Sequence, residues 1–265
     1  MSRALGGYVG HIPSPSTSAA PGVWTLREAS RYRRAGTWPI GVEPDPNFAN
    51  VSLLLHMDGS NGSTNFVDSS GTPKTVTPSG NAQISTAQSK FGGASGYFDG
   101  SGDYITVPAS DGLELGSGDF TIELWLYSLG GQAQYAGVIS KGQEGSTSAD
   151  VWNLEFAGDS EIGFYAWSVG GLGVITGIST NTWHHVAISR NGSTTRFFLD
   201  GVLASFASGS YTISSNANGP LRIGSGWYDL AGRPFKGYIE ELRITKGVAR
   251  YTANFTPPTA PFPDA

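Results

Sequence analysis

Residues 183–201 read WHHVAISRNGSTTRFFLDG, and this stretch decides the fold. Two extended runs are joined at Asn191-Gly192, a pair that supplies the positive φ angles of a type I′ turn, so the pattern predicts a β-hairpin. Two of the protein's 4 histidines, His184 and His185, are adjacent in the first run. Neighbouring side chains of a strand face opposite sides of the sheet, so these two cannot jointly bind one metal ion. We therefore interpret both histidines as structural.

Similar short extended runs, each bounded by turn-forming residues, follow one another from Val51 onward. They are VSLLLHM, SGYFDG, DYITVP, DFTIELWLYS, AGVISK, VWNLEFA, EIGFYAW, LRIGS and FKGYIEELRIT. Both faces of FTIELWLY (120–127) carry large apolar groups, which indicates a strand inside a sandwich rather than an exposed edge. Because no helical pattern separates these runs, the sequence predicts an all-β fold of two packed antiparallel sheets.

Composition narrows the function classes. Only 14% of the 265 residues are charged, and glycine (38) and proline (15) are plentiful, as expected for many short strands joined by turns. The net charge of −5 argues against a general nucleic-acid binder. The absence of cysteine excludes disulfides, zinc–thiolate sites and thiol nucleophiles. No stretch approaches the ~20 apolar residues of a membrane-spanning helix, and the N-terminus lacks the apolar core of a secretory signal.

Residues 1–50 differ in composition from the rest of the chain. PSPSTSAAPG (13–22) and GVEPDPNFAN (41–50) are proline-containing stretches typical of linkers. Between them lie the candidate interface residues Trp24, Arg27, Arg31, Tyr32, Arg33, Arg34 and Trp38. These residue types are over-represented in protein interfaces, although a solvated helix face is the alternative. We predict an extended N-terminal arm (1–50) that anchors the chain to neighbouring subunits, followed by one domain (51–265).

The run at 183–201 and further stretches in the same order resemble the laminin G-like, concanavalin A-like jelly-roll family. The further stretches are LLLHMDGSNGSTNFVDSSG (53–71), KFGGASGYFDGSGDYITVP (90–108), GDFTIELWLY (118–127) and GYIEELRITKGVARYTANFTPPTAPFP (237–263). The last is similar to a subset common in bacteriophage virion and tail-associated proteins, and APGVWTLREASRYRRAGTWP (20–39) resembles a segment of phage structural proteins. The resemblance implies a jelly roll of two curved antiparallel sheets that recognises glycans or proteins.

The resemblance also implies a calcium ion, which many members of the family have lost. The candidate ligands are Asp58 and Glu241 first, then Asp99 and Asp103. DGSNG (58–62) and FDGSGD (98–103) have the acidic, glycine-rich composition of loops that turn sharply enough to supply calcium with oxygen ligands. Asp-Gly pairs are also ordinary turn residues. Both interpretations stay open at this point.

No catalytic constellation is recognisable in the sequence. Glycoside hydrolases that share this sandwich need two carboxylates beside the scissile bond, and the related laminarinase-type enzymes place theirs in a Glu-x-Asp-x-x-Glu array. Here Glu123 and Glu155 each stand alone in their strands. There is no G-x-S-x-G elbow, H-E-x-x-H motif, P-loop or dinucleotide fingerprint either. We therefore predict a protein without enzymatic activity and assign no catalytic residue.

Aromatic side chains in polar, glycine-rich surroundings are the candidate ligand-binding residues. Exposed rings stack on the C–H faces of sugars while neighbouring polar groups bind the hydroxyls. The candidate loops are GQEGSTSADVW (142–152) and SGWYDLAGRP (225–234), and the candidate residues in them are Trp152, Trp227, Tyr228 and Asp229. Trp167 is a further aromatic in such surroundings. The alternative is that these rings fill the core or a subunit contact, because tryptophan is highly buried on average.

Together, the residues and the resemblance predict a non-enzymatic structural protein of a bacteriophage virion, associated with the tail or the capsid. Its jelly roll would be displayed for decoration or for binding host glycans, and repetition in a homo-oligomer or symmetric assembly would raise the avidity of weak sites. The expected partners are other virion subunits, through the arm, and a host surface glycan, but neither a membrane nor a specific nucleic acid. The alternative is a secreted carbohydrate-binding lectin or an accessory module of a glycoside hydrolase, which would make the protein extracellular.

Overall fold

The computed structural model describes residues 44–142, 151–216, 218–226 and 233–265, which form fifteen β-strands and two short 3-10 segments. The strands are β1 Val51–Leu55, β2 Thr77–Ser79, β3 Gln83–Ser85, β4 Ser95–Asp99, β5 Tyr104–Val107, β6 Phe120–Ser128, β7 Gly137–Lys141, β8 Trp152–Gly158, β9 Glu161–Ala166, β10 Gly170–Thr176, β11 Trp183–Asn191, β12 Thr194–Leu199, β13 Val202–Ser208, β14 Leu221–Ile223 and β15 Lys236–Lys246. The 3-10 segments are Phe48–Asn50 and Asp111–Leu113. Among the described residues, no helix has the length and apolar character needed to cross a membrane.

Two antiparallel sheets make up the fold, as the sequence predicts. The eight-stranded sheet has the order β13-β12-β11-β6-β15-β4-β3, and β1 also pairs with β15. The seven-stranded sheet has the order β10-β9-β8-β7-β14-β5-β2. Neighbouring strands in these orders are often distant in the sequence, which is the connectivity of a jelly-roll sandwich. The predicted all-β jelly-roll sandwich is therefore confirmed.

The hairpin that decides the fold lies between β11 and β12. Asn191 pairs with Thr194, so the two turn residues are Gly192 and Ser193. Gly192 has a φ of 55°, whereas Ser193 is not among the residues with positive φ. Positive φ at the first turn residue alone is the pattern of a type II′ turn, so the predicted hairpin is present but the predicted type I′ turn is wrong.

The core lies between the two sheets. On β11, Val186 and Ile188 point into it, and on β6 their neighbours Leu124 and Ile122 do the same. The opposite face of β6 is also buried, although it points away from the second sheet. The C-terminal segment (247–265) covers this outer face of the eight-stranded sheet. The predicted position of β6 inside the sandwich is therefore confirmed.

The compact unit that contains the sandwich runs from Asp45 to Ala265. Asp45 is 8% exposed and accepts hydrogen bonds from Arg243 and Arg250, and its backbone N–H donates to the carbonyl of Ala265. Residues 45–50, which composition assigns to the N-terminal arm, therefore belong to the sandwich unit. The predicted arm and its interface residues Trp24, Arg27, Arg31, Tyr32, Arg33, Arg34 and Trp38 lie outside the described residues.

Candidate functional site

A cleft of about 350 Å³ opens on the outer face of the seven-stranded sheet, over β8, β9 and β10. Its lining includes Tyr135, Glu155, Gly163, Tyr165, Val174 and Ser205. On β8 and β9 the alternate residues Leu154, Phe156, Ile162 and Phe164 are buried in the core. Since side chains alternate along a strand, Glu155 and Tyr165 point outward to the cleft. We refer to this cleft as the Tyr165 cleft.

Aromatic rings border the Tyr165 cleft. The ring of Trp167 is 46% exposed and lies edge-on to the ring of Tyr165, with the centroids 5.7 Å apart. Tyr135 is 41% exposed and has a φ of 64°, a left-handed conformation that a bulky residue rarely adopts. Backbone strain of this kind is concentrated at ligand-binding sites.

Glu155 is the acidic group of the cleft. Burial raises the pKa of its carboxyl group, while the Arg233 charge and a hydrogen bond from Asn153 act in the opposite direction. Asn153 Nδ2 lies 3.4 Å from Glu155 Oε2. A partly buried carboxylate beside exposed rings can accept hydrogen bonds from the hydroxyl groups of a ligand while the rings cover its apolar face.

The floor of the Tyr165 cleft is open because glycines line it. Added Cβ atoms at Gly163 and Gly171 would meet no other atom within 4 Å. Any larger residue here would project into the cleft. Apart from the aromatic character of EIGFYAW, no sequence pattern predicts this cleft, since its shape depends on how β9 and β10 pair.

Trp152 is not part of a ligand-binding surface. Its side chain is 0% exposed, and its ring packs 5.8 Å from that of Phe164 in the core. Trp152 begins β8 and has the same parity as Leu154 and Phe156, so it points to the core side of the sheet. Its assignment to a ligand-binding loop is therefore wrong. The other predicted ligand-binding residues, Trp227, Tyr228 and Asp229, lie outside the described residues.

The two adjacent histidines have separate structural partners. Ser179 N–H donates to His184 Nε2 at 3.1 Å, which leaves Nδ1 as the donor to Asp200 Oδ2 at 2.7 Å. His185 lies on the other face of β11, where its ring meets those of Trp125 and Phe255. Their structural interpretation is thus supported by contacts on opposite faces.

Beneath the C-terminal segment, a buried polar network surrounds Glu123. Its Oε1 accepts from Arg243 Nε at 3.0 Å and Nη2 at 2.8 Å, and its Oε2 accepts from Tyr251 Oη at 2.7 Å. Burial alone would raise the pKa of Glu123, but the Arg243 charge, the nearby ring of His185 (Nε2 at 3.4 Å from Oε2) and the hydrogen bond from Tyr251 lower it to about 2. Glu123 is 0% exposed, so this network stabilises the fold rather than meeting a ligand.

Asp58 and Glu241, the leading candidate calcium ligands, both lie close enough to Glu240 for their charges to act on it. A β-bulge in β15 at Glu241, which has a φ of 53°, interrupts the strand between Glu240 and Arg243. Burial raises the pKa of Glu240 to about 7, against two backbone N–H donors, and the charges of Glu241 and Asp58 raise it further. The bulge brings acidic groups together in a way that regular alternation would not predict.

The oxygens of Glu241 already have protein partners. Oε1 lies 2.7 Å from His56 Nδ1, and Oε2 accepts from Phe262 N–H at 2.7 Å. His56 Nε2 lies 2.6 Å from Asp264 Oδ1. Burial lowers the pKa of His56, but its bonds to Glu241 and Asp264 outweigh this and raise it to about 9. Glu241 therefore serves as the counter-ion of a protonated histidine.

The other two candidate calcium ligands lie elsewhere. Asp99 pairs with Lys236 at the start of β15, roughly 15 Å from the bulge at about 3.3 Å per residue. Asp103 is 0% exposed and accepts from the backbone N–H groups of Asp99 and Asn81, as a turn-forming aspartate does. Within the described part of the chain, no group of three or more acidic or histidine side chains could hold a metal ion. These residues therefore do not fit a calcium site by themselves, and calcium binding stays a prediction.

Comparison with known proteins identifies a family with this fold. Residues 99–250 match the model of the Laminin_G_3 family, described as Concanavalin A-like lectin/glucanases superfamily. Domain 4 of AbnA, a GH43 extracellular arabinanase from Geobacillus stearothermophilus solved in complex with arabinotriose, is 20% identical, with a TM-score of 0.52 over 76% of this chain and 94% of that chain. No curated protein matches the chain in sequence.

Toxin binding domains have the same fold. The binding domain of Paraclostridial Mosquitocidal Protein 1 is 15% identical, with a TM-score of 0.55 over 75% of this chain and 49% of that chain. The ligand-binding domain of botulinum neurotoxin serotype D, solved in complex with N-acetylneuraminic acid, is 16% identical, with a TM-score of 0.55 over 76% of this chain and 49% of that chain. The chain thus spans about half the length of these toxin domains. At such identities the likeness shows the fold alone.

Proposed function

Because the chain belongs to the Laminin_G_3 family of the Concanavalin A-like lectin/glucanases superfamily, we propose that it is a non-enzymatic carbohydrate-recognition protein of a bacteriophage virion. The sugar binds in the Tyr165 cleft, and the virion carries the domain on its tail or capsid. The glycan-binding part of this proposal is carried by the structure, whereas the virion part is carried by the sequence.

The observation that carries glycan binding is a pair of rings beside Glu155: Tyr165 lines the cleft with Glu155, and the 46% exposed Trp167 packs edge-on against Tyr165. The faces of such rings pack against sugar C–H groups, and a carboxylate accepts hydrogen bonds from hydroxyls. Two proteins with this fold were solved in complex with arabinotriose and with N-acetylneuraminic acid, and both of these ligands are carbohydrates. These ligands support the proposed chemical class but do not identify the sugar.

The absence of catalysis is supported by the acidic groups of the cleft. Glycoside hydrolysis needs two carboxylates on either side of the scissile bond. Among the described residues that line the Tyr165 cleft, Glu155 is the single carboxylate. Glu123 is sealed beneath the C-terminal segment and paired with Arg243. The arrangement therefore favours binding without turnover.

A glycan array tests the proposal, followed by calorimetry with the best-bound sugar. We expect Trp167→Ala to weaken binding about tenfold, which corresponds to about 1.4 kcal/mol. Gly163→Val should weaken it as well, because the added side chain enters the open cleft without meeting protein atoms. Phe206→Ala is the matched control: Phe206 is an exposed aromatic (63%) outside the cleft lining, and alternation along β13 points it to the face opposite its lining neighbour Ser205. Absence of binding to every glycan, or equal affinity for all variants, would refute the proposal.

The virion role rests on the resemblance of residues 20–39 and 237–263 to phage structural proteins. In this proposal the N-terminal arm orders on neighbouring subunits, as extended segments do when they fold on binding. Removing residues 1–43 leaves the compact unit from Asp45 to Ala265 intact. We expect the shortened chain to remain folded but to stay monomeric in light scattering, whereas the full chain assembles. Equal assembly of both chains would show that the arm is not the anchor.

A secreted lectin or an accessory module of a glycoside hydrolase is the second candidate function. It is favoured by the match to domain 4 of the extracellular arabinanase, 94% of which is covered. A reducing-sugar release assay and the genomic neighbourhood separate the candidates. Capsid and tail genes around this one would support the virion, and glycoside hydrolase genes would support the accessory module.

A further inference from the structure

A second cleft, of about 430 Å³, shares no lining residue with the Tyr165 cleft. The β11–β12 turn, the loop before β6 and the segment after β13 meet there. Its lining includes Ser117, Arg190, Ser193, Ser210, Tyr211 and Thr212. We refer to it as the Arg190 cleft.

Arg190 is held rigidly in the wall of this cleft. The residue is 2% exposed, and its guanidinium group donates to three backbone carbonyls: Nε to Gly192 at 3.0 Å, Nη1 to Gly116 at 3.3 Å and Nη2 to Tyr211 at 2.7 Å. The guanidinium carbon also lies 4.1 Å from the centroid of the Tyr211 ring. Arginine carries five N–H groups, so two of them remain for another acceptor.

The positive charge of Arg190 has no carboxylate partner in the part of the chain that the structure describes. Among the described residues, no aspartate or glutamate oxygen lies within 4.0 Å of its nitrogens, whereas Arg243 and Arg250, which are similarly buried, contact Glu123 and Asp45 at 2.6–3.1 Å. Carbonyl groups orient a guanidinium group but do not neutralise it. Buried charges are normally paired, because removing a charge from water is costly. A buried arginine that lines a cleft and lacks a carboxylate partner can therefore bind an anion there.

We propose that the Arg190 cleft binds an acidic sugar, with the carboxylate or sulfate group of the sugar against Arg190. This inference rests on the proposed carbohydrate-binding function and adds the ligand class of a second site. The guanidinium fork matches the planar geometry of a carboxylate and also accepts a sulfate.

The remainder of the lining suits the sugar ring. Ser117, Ser193, Ser210 and Thr212 are all exposed and bring hydroxyl groups that both donate and accept hydrogen bonds. Arg190 is the single charged residue among the described residues of the lining. The carboxylate of Asp119, which is not in the lining, already accepts a hydrogen bond from Gly192 N–H at 2.7 Å. A small polyhydroxylated anion therefore meets both the charge and the hydrogen-bonding character of this cleft.

The test is an NMR titration of the ¹⁵N-labelled full chain with glucuronic acid, glucose 6-sulfate, glucose and inorganic sulfate. We expect the amides of Gly192, Ser193 and Thr212 to shift with the two acidic sugars and to respond at least tenfold more weakly to glucose. Comparison of glucuronic acid with glucose 6-sulfate decides which anionic group is preferred. Raising the salt concentration should weaken the binding, because a screened charge contributes to it.

Two variants locate the ligand. Ser210→Trp fills the cleft from an exposed position, so it should abolish these shifts without unfolding the chain, and Arg190→Lys should weaken them because the fork is lost. Gly163→Val, in the lining of the Tyr165 cleft, is the control and should leave them unchanged, because an added Cβ there meets no other atom within 4 Å. Equal responses to glucose and the acidic sugars, sulfate alone binding as tightly as the sugars, or shifts that survive Ser210→Trp would each overturn the inference. If glycans still bind the Tyr165 cleft in that case, the proposed function stands; if neither cleft binds any sugar, both fail.

Discussion

Replacing Glu123 with leucine tests whether the buried network beneath the C-terminal segment stabilises the sandwich. The substitution removes both acceptor oxygens and leaves Arg243, which is 5% exposed, without its principal carboxylate. Tyr251 loses the acceptor of its hydroxyl group at the same time. The substitution should therefore lower the free energy of unfolding for two reasons: a buried cation loses its counter-ion, and a buried hydroxyl group loses its acceptor.

The expected magnitude follows from the contacts that remain. Removing one partner of a buried ion pair costs about 3–5 kcal/mol. Arg243 keeps its contact with Asp45 at 3.1 Å, so we expect a loss near the lower end, about 3 kcal/mol. For a domain of this size about 1 kcal/mol lowers the Tm by about 2–4 °C, so the Tm should fall by about 6–12 °C.

Urea unfolding of the full chain, followed by tryptophan fluorescence, measures the loss. The control is the double variant Glu123→Leu/Arg243→Met, which replaces both charges with apolar groups and should recover part of the stability. A loss below about 1 kcal/mol for Glu123→Leu would refute the assigned role. A double variant that loses the sum of the two single losses would equally show that the pair is not coupled.

Three further predictions concern pH, packing and calcium. The pKa of His56 is raised from 6.5 to about 9 in the folded state, so its contribution to stability is full below pH 6.5 and is lost as the pH rises through 9; His56→Gln should flatten the Tm over this range, and an unchanged pH profile would contradict the assignment. An added Cβ at Gly137 would lie 2.1 Å from the backbone N of Gly226, so Gly137→Ala should lower the free energy of unfolding by about 1–3 kcal/mol, whereas Gly158→Ala, which meets open space, should cost little in the same denaturation assay. Millimolar calcium should leave the Tm unchanged, because Glu241, Asp99 and Asp103 already accept protein hydrogen bonds; a rise that a chelator reverses would instead support the calcium site that the family resemblance suggests.

The long strands were predictable because their apolar patterns are strong. FTIELWLYS and WHHVAISRN became β6 and β11, each longer than most other strands and each at the centre of the eight-stranded sheet. The burial of Trp152 could also have been predicted from the sequence, since VWNLEFA places it in alternation with Leu154 and Phe156. Because Trp152 also follows a polar loop, it was instead predicted to bind a ligand, and that prediction was wrong.

Four strands were not predicted, and each lacks a local signal. β2 and β3 have three residues each, β2 contains Pro78, and β10 begins with two glycines. β13 (VLASFAS) is largely exposed and forms the edge of its sheet, so burial imposes little pattern on it. The contacts among Glu123, His185 and Tyr251 could not be predicted from the sequence either, because they depend on strand register and on the path of the C-terminal segment.

The two outer faces of the sandwich differ in a way that directs the search for ligands. On the eight-stranded sheet the C-terminal segment occupies the outer face: Phe255 N–H donates to the carbonyl of Gly201, and Tyr251 caps Glu123. Gly201 has a φ of 77°, and an added Cβ would lie 2.0 Å from the carbonyl oxygen of Phe255, so glycine at this position allows the close approach of the segment. On the seven-stranded sheet glycines at 163 and 171 meet no covering atoms. Glycine thus has opposite effects on the two outer faces. On the eight-stranded sheet it lets the C-terminal segment cover the face, and on the seven-stranded sheet it leaves open space large enough for a sugar.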